Sequence, residues 1–186
     1  MERMARHRLR IDQAHLLVID IQEKLLPLID QKEQVVAQAE RAVRAAAVLN
    51  LPITLSEQYV KGLGATIPAL AEAAGGAPRA EKLAFSFCAE DACRERILSL
   101  RRPQVLLVGI EAHVCVQQPA LDLGEMGLQP FVLADAVGSR RASDREVALE
   151  RMRQGGVIVT TVESALFELL HASGTELFKR VLPLVK

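Results

Sequence analysis

Six short runs, most of them rich in Val, Ile or Leu, punctuate the chain: His15–Asp20, Pro52–Glu57, Glu81–Ser86, Gln104–Ile110, Pro130–Asp135 and Val157–Val162. Between them lie stretches in which apolar residues return every three or four positions, the period of a helix buried on one face. Strands that alternate with helices fold as a parallel sheet, because a crossover helix returns the chain to start the next strand in the same direction. The runs Leu16–Ile19 and Val105–Ile110 are apolar at nearly every position rather than at alternate ones, the mark of strands covered on both faces. The expected architecture is α/β: a single three-layer αβα domain over residues 1–186, with a mostly parallel six-stranded sheet and a polar N-terminal segment at 1–12.

The helical stretches are Lys32–Leu49, Ile67–Ala74, Ala89–Leu100, His113–Met126, Ser143–Gln154 and Ser164–Ala172. In the first, Val35, Val36, Ala39, Val43, Ala46 and Ala47 form an apolar stripe, and Glu33, Gln38, Glu40, Arg41 and Arg44 cover much of the other surface. Asn50 and Pro52 stop it. Ser143 and Glu146 have the spacing of a capping box, and Gly155-Gly156 stands where that helix should end. Val60–Thr66, with two glycines and no periodicity, reads as a loop. No internal repeat, low-complexity tract or linker interrupts the pattern.

At 186 residues such a domain buries roughly 70% of the surface its unfolded chain exposes, and needs no disulfide or structural metal. Half of the residues are hydrophobic but only 3% are aromatic, so the core is aliphatic and a stacking platform for bases is not expected. Lys and Arg total 23, as do Asp and Glu. That balance argues against a nucleic-acid partner or an anionic membrane surface, both of which attract a basic excess. There is no run of about 20 apolar residues and no signal-peptide core after the Arg-rich start, so a cytoplasmic protein is expected. Cys88, Cys93 and Cys115 show no C-x-x-C spacing, and His7, His15, His113 and His171 are scattered. This reads as free thiols, no metal site and no cofactor.

In open α/β sheets the chemistry gathers beyond the carboxyl ends of the strands. There the first run ends at Asp20, the third carries Lys82, and the fourth leads through Gly109-Ile110-Glu111-Ala112-His113-Val114 to Cys115. An acid, an amine and a thiol in one crevice permit nucleophilic acyl transfer. Asp20 can take the thiol proton, while Lys82 and a helix N-terminus can lower the pKa of Cys115. Taken singly, each residue has an ordinary alternative: a turn-capping Asp, a solvated Lys, a small buried Cys.

Five ordered segments sharpen this reading: Leu16–Gln22 (LLVIDIQ), Ser56–Pro68 (SEQYVKGLGATIP), Glu81–Ser86 (EKLAFS), Val108–Val116 (VGIEAHVCV) and Val132–Arg140 (VLADAVGSR). From about His15 onward the chain resembles the isochorismatase-like hydrolase superfamily, and its isochorismatase domain-containing branch in particular, relatives of nicotinamidases and other cysteine hydrolases. The resemblance implies a Rossmann-like isochorismatase fold and a catalytic Asp20, Lys82 and Cys115. It also implies a non-proline cis peptide at Ile110-Glu111, which would aim the backbone N–H groups of Glu111 and Cys115 at an oxyanion. Gln22, Gln58, Tyr59 and Phe85 are the expected lining of a substrate pocket. His113 is expected to face away from the sulfur.

Nicotinamidase-like members carry a metal-binding D-x-H segment where this chain has Glu57-Gln58-Tyr59, which favours a metal-free site. Three functions remain open. The first is a cysteine hydrolase of small amide- or ester-type substrates working through a thioester. The second is a hydrolase of isochorismate or another vinyl ether that does not need the cysteine. The third is a catalytically weak binding protein on the same fold. No G-x-G-x-x-G turn follows the first strand, so a nucleotide-binding Rossmann protein is rejected. A homo-oligomer, a dimer or larger, is expected by resemblance, and the apolar segment Leu177–Val185 could pack on a partner subunit or on its own domain. The pair Arg140-Arg141 could hold a carboxylate or phosphate or be simply solvated.

Overall fold

The computed structural model describes residues 7–185; residues 1–6 of the polar N-terminal segment lie outside the described residues. The sheet has six strands: β1 (Ala14–Ile19), β2 (Ile53–Gln58), β3 (Arg79–Lys82), β4 (Gln104–Ile110), β5 (Gln129–Gly138) and β6 (Ile158–Thr160). Every pairing is parallel and the order is β3-β2-β1-β4-β5-β6. The chain begins at the centre, winds outward to β3, then returns to the other side of β1 and winds outward again. The order reverses between β1 and β4, so the loops leaving these two strands diverge and open a crevice at their carboxyl ends.

Side chains alternate along each strand and split the core in two. Leu16, Val18, Leu55, Leu106 and Val108 pack on one face, under α1 (Lys32–Val48), α3 (Pro68–Ala73), α7 (Val162–Leu170) and α8 (Glu176–Val185). Leu17, Ile19, Val105, Leu107 and Val132 pack on the other, under α4 (Asp91–Ser99), α5 (Gln117–Glu125) and α6 (Ala142–Gln154). The C-terminal segment is α8, packed on α1 and α7 with Val181 fully buried, which realises the packing on its own domain. Among the described residues no helix is long and apolar enough to cross a membrane.

Four local expectations need correction. The third strand spans Arg79–Lys82 rather than Glu81–Ser86. Beyond Lys82 the backbone bends, because the N–H groups of Leu83 and Ala84 donate to Glu90 and the carbonyls of Ala84 and Phe85 turn inward to Lys82. Within the expected loop Val60–Thr66, Val60–Leu63 form one helical turn, α2. The helix after β4 starts as a π-helical turn, Ala112–Val116, before α5. Finally, Ser143 does not cap α6: the helix begins at Ala142 with Arg141 at the N-cap and no side-chain cap, while Gly155 does stand at its C-cap.

Candidate active site

Asp20 is the first residue after β1 and adopts a left-handed backbone, φ 53°. A residue with a Cβ pays a conformational cost there and stays only when held. Two bonds from β2 hold it: its N–H donates to the Ser56 carbonyl at 3.1 Å, and the Ser56 hydroxyl donates to its Oδ1 at 2.6 Å. Lys82, the last residue of β3, donates from Nζ to Asp20 Oδ2 at 2.7 Å, and both side chains are wholly buried. The same ammonium meets Gln58 Oε1 at 2.6 Å and the carbonyls of Ala84 and Phe85 at 3.3 Å each. A buried charge needs such a complement of acceptors. With its donors engaged by protein, Lys82 acts as a fixed positive charge.

Cys115 lies in the π-helical turn between β4 and α5 and is nearly buried. Its thiol is pushed up to about 12, first by burial and then by the neighbouring Asp20 carboxylate. The Lys82 charge and a main-chain hydrogen bond from Glu111 pull the other way but are outweighed. Lys82 pulls the Cys115 pKa down, as expected, and the net shift is upward because burial and the Asp20 carboxylate are stronger. The sulfur rests as a thiol beside a carboxylate. Cys88 is likewise pushed to about 12 by burial, and Cys93 is raised for the same reason.

The Ile110-Glu111 peptide is cis. The Glu111 side chain is buried, and its Oε2 accepts from Arg140 Nε at 3.0 Å and from the Arg140 N–H at 3.2 Å. Arg140 is thus tied to the strand that leads into the site. Gly109, beside Ile19 in the sheet, has φ 140°, and a Cβ there would stand 2.1 Å from the Ile19 carbonyl oxygen. Only glycine lets β4 pass β1 this closely just before the turn that carries Cys115.

The four expected pocket residues divide. Gln22 and Gln58 are buried at the site, but their amides are committed internally. Gln22 Nε2 donates to the carbonyls of Gln58 and Gly64, and its Oε1 accepts from the Gln58 N–H. Gln58 Oε1 takes Lys82, and Nε2 donates to the Leu83 carbonyl. Both amides are held within the wall of the site. Tyr59 and Phe85 are exposed, 47% and 57%, because the bends after β2 and β3 turn them outward. His113 bonds through Nδ1 to Ser139 Oγ at 2.9 Å. Glu57 accepts from the N–H and hydroxyl of Thr66, and among the described residues no group of three or more His, Cys, Asp or Glu could hold a metal. A cleft of about 160 Å³, bounded by Asp30, Gln34, Asp135 and Glu146, lies between α1 and α6 and includes none of Asp20, Lys82 or Cys115.

Sequence reasoning missed Ser56. Its signal was a polar residue two positions before Gln58, on the same face of a strand buried throughout.

Residues 14–164 match the family model described as the isochorismatase domain. The zebrafish (Danio rerio) isochorismatase domain-containing protein 2 is 42% identical over 167 residues, covering 89% of this chain and 83% of its own. Among solved structures, the MAR1 ribonuclease of Caenorhabditis elegans superposes with a TM-score of 0.91 at 38% identity, covering 96% of this chain and 92% of its own. YcaC of Pseudomonas aeruginosa, solved with hexane-2,5-diol and covalent acrylamide, gives 0.89 at 25% identity, with 95% and 91% covered. The match runs from the first residue of β1 through the last strand of the sheet, and with these relatives it shows that the chain belongs to the isochorismatase domain family.

Proposed function

We propose that the protein is a cysteine hydrolase of small amide- or ester-type carbonyl compounds. The observation that carries this reading is the buried Lys82–Asp20 ion pair at 2.7 Å, with the Cys115 thiol close enough to feel both charges. A carboxylate paired with an ammonium is a competent base for a thiol whose own ionisation is suppressed. The covalent acrylamide on YcaC of Pseudomonas aeruginosa supports a reactive centre on this fold.

In the first half-reaction the Cys115 S–H proton passes to Asp20 as the S–C bond forms. The developing oxyanion is met by the backbone N–H groups of Glu111 and Cys115. Collapse breaks the bond to the amine or alcohol, which leaves with the proton from Asp20. Water then attacks the thioester and gives a proton to Asp20; the acid product departs, and the proton returns to sulfur. Lys82 keeps its proton throughout and stabilises Asp20 as the anion between transfers.

One observation favours a second reading. A thiol resting in its neutral form is compatible with hydrolysis of a vinyl ether by Asp20 and Lys82 alone. Turnover of an amide, ester and vinyl-ether panel by the wild type and Cys115→Ala separates the two. Loss of all turnover in Cys115→Ala, with one acyl group trapped on Cys115 by mass spectrometry, supports the covalent route. Full vinyl-ether turnover without the cysteine overturns it.

A further inference from the structure

Asp20 and Lys82 come from strands 62 residues apart in sequence, and neither is aligned by the other alone. Between them runs β2, which places Ser56 and Gln58 on the same face, two residues apart. Ser56 is 1% exposed and grips Asp20 twice, through its carbonyl to the Asp20 N–H and through its hydroxyl to Oδ1. Gln58 presents Oε1 to the Lys82 ammonium while its own amide nitrogen is tethered to the Leu83 carbonyl. The groups around the Asp20 carboxylate are therefore the Ser56 hydroxyl from β2, the Lys82 ammonium from β3 and the Cys115 thiol from the turn after β4.

We infer that Ser56 is a positioning residue for the proton-transfer step, holding the Asp20 carboxylate in the rotamer that faces Cys115 and stabilising its charged form. This inference rests on the cysteine-hydrolase reading and extends it to a residue outside the triad. The physical grounds are two. A left-handed Asp needs tertiary restraint, and Ser56 supplies both of the β2 contacts that give it. A hydroxyl donating to a carboxylate at 2.6 Å is a charge-assisted bond, worth more than a neutral one. It leaves Oδ2 to Lys82, so that each carboxylate oxygen has its own donor and the carboxylate plane is fixed beside Cys115. Removing the hydroxyl frees the carboxylate to rotate away from that position.

The test is the rate of iodoacetamide alkylation at Cys115 in the full chain from pH 5 to 10, resolved by peptide mass spectrometry, with Cys88 and Cys93 as internal controls. In Ser56→Ala the neutral-pH rate at Cys115 falls roughly tenfold or more. Cys88 and Cys93 keep their wild-type rates, and Ser56→Thr, which retains the hydroxyl, restores most of the rate. A purely structural role would change all three thiols together and would not be rescued by the hydroxyl of Thr. The inference alone is overturned if wild-type Cys115 is reactive and Ser56→Ala matches it in rate. If wild-type Cys115 is no more reactive than Cys88 and Cys93, the hydrolase reading fails, and this inference falls with it.

Discussion

Removing the Lys82 ammonium tests whether the site is organised around a fixed buried charge. Lys82→Met keeps the length of the side chain but leaves the Asp20 carboxylate, wholly buried, with the Ser56 hydroxyl and the neutral Cys115 thiol and no opposite charge. Breaking a buried pair from one side costs about 3–5 kcal/mol, because the surviving charge keeps its desolvation penalty and loses its partner. The Gln58 Oε1 and the carbonyls of Ala84 and Phe85 lose a donor as well. For a domain of this size each kcal/mol moves the melting temperature by about 2–4 °C, so the single variant should melt roughly 6–20 °C below wild type.

Adding Asp20→Asn removes the orphaned charge. The double variant should therefore be more stable than Lys82→Met, with a coupling energy of about 2 kcal/mol or more between the sites. Urea denaturation of the four proteins at pH 7, with a common slope, gives the cycle directly. The reasoning is refuted if Lys82→Met melts within about 3 °C of wild type, or if the two substitutions simply add.

Three further outcomes follow from the same geometry. Asp20→Asn should lower turnover by roughly a hundredfold or more, as expected for loss of a general base, and yet let Cys115 ionise at lower pH, since the Asp20 charge is one cause of its raised value; a thiolate absorbance titration that does not move towards lower pH would count against this. Gly109→Ala would drive a Cβ to 2.1 Å from the Ile19 carbonyl, so a stability loss of about 3 kcal/mol or more is expected from the urea midpoint, and a loss under about 1 kcal/mol would show that β1 and β4 can part cheaply. His15 is fully buried, and burial holds its imidazole down at about 4. It is neutral in both states above its unfolded value of 6.5, whereas between 6.5 and about 4 only the unfolded chain gains the proton, so about 3 kcal/mol of stability is lost across that window. His15→Leu should flatten that part of the curve, and an unchanged slope between pH 7 and 4 would refute the assignment.

Much of the fold was legible because its strands are buried on both faces, and a short continuous apolar run between polar turns is what a central parallel strand requires. The crevice was legible for the same reason: once β1 and β4 are recognised as strands, Asp20 and the Glu111–Cys115 turn must leave at the carboxyl end. What failed was decided by partners distant in the chain. The alternating Leu83-Ala84-Phe85-Ser86 continues a strand by local pattern, but the Lys82 ammonium draws the carbonyls of 84 and 85 inward and breaks the ladder. Distant partners of the same kind hold the amides of Gln22 and Gln58, which lie buried beside Lys82, on backbone and on the ammonium.

The resting state of Cys115 was hidden from the sequence for a related reason. Its acidity is a contest between burial, the Asp20 carboxylate, the Lys82 ammonium and a backbone donor, and residue types alone reveal the charges but not the burial that outweighs them. That contest also bears on the carboxylate beside the sulfur. On the proposed cysteine-hydrolase reading, a thiol that does not ionise at neutral pH loses its proton as the bond forms, and the carboxylate that the thiol feels is the one Ser56 and Lys82 hold in place.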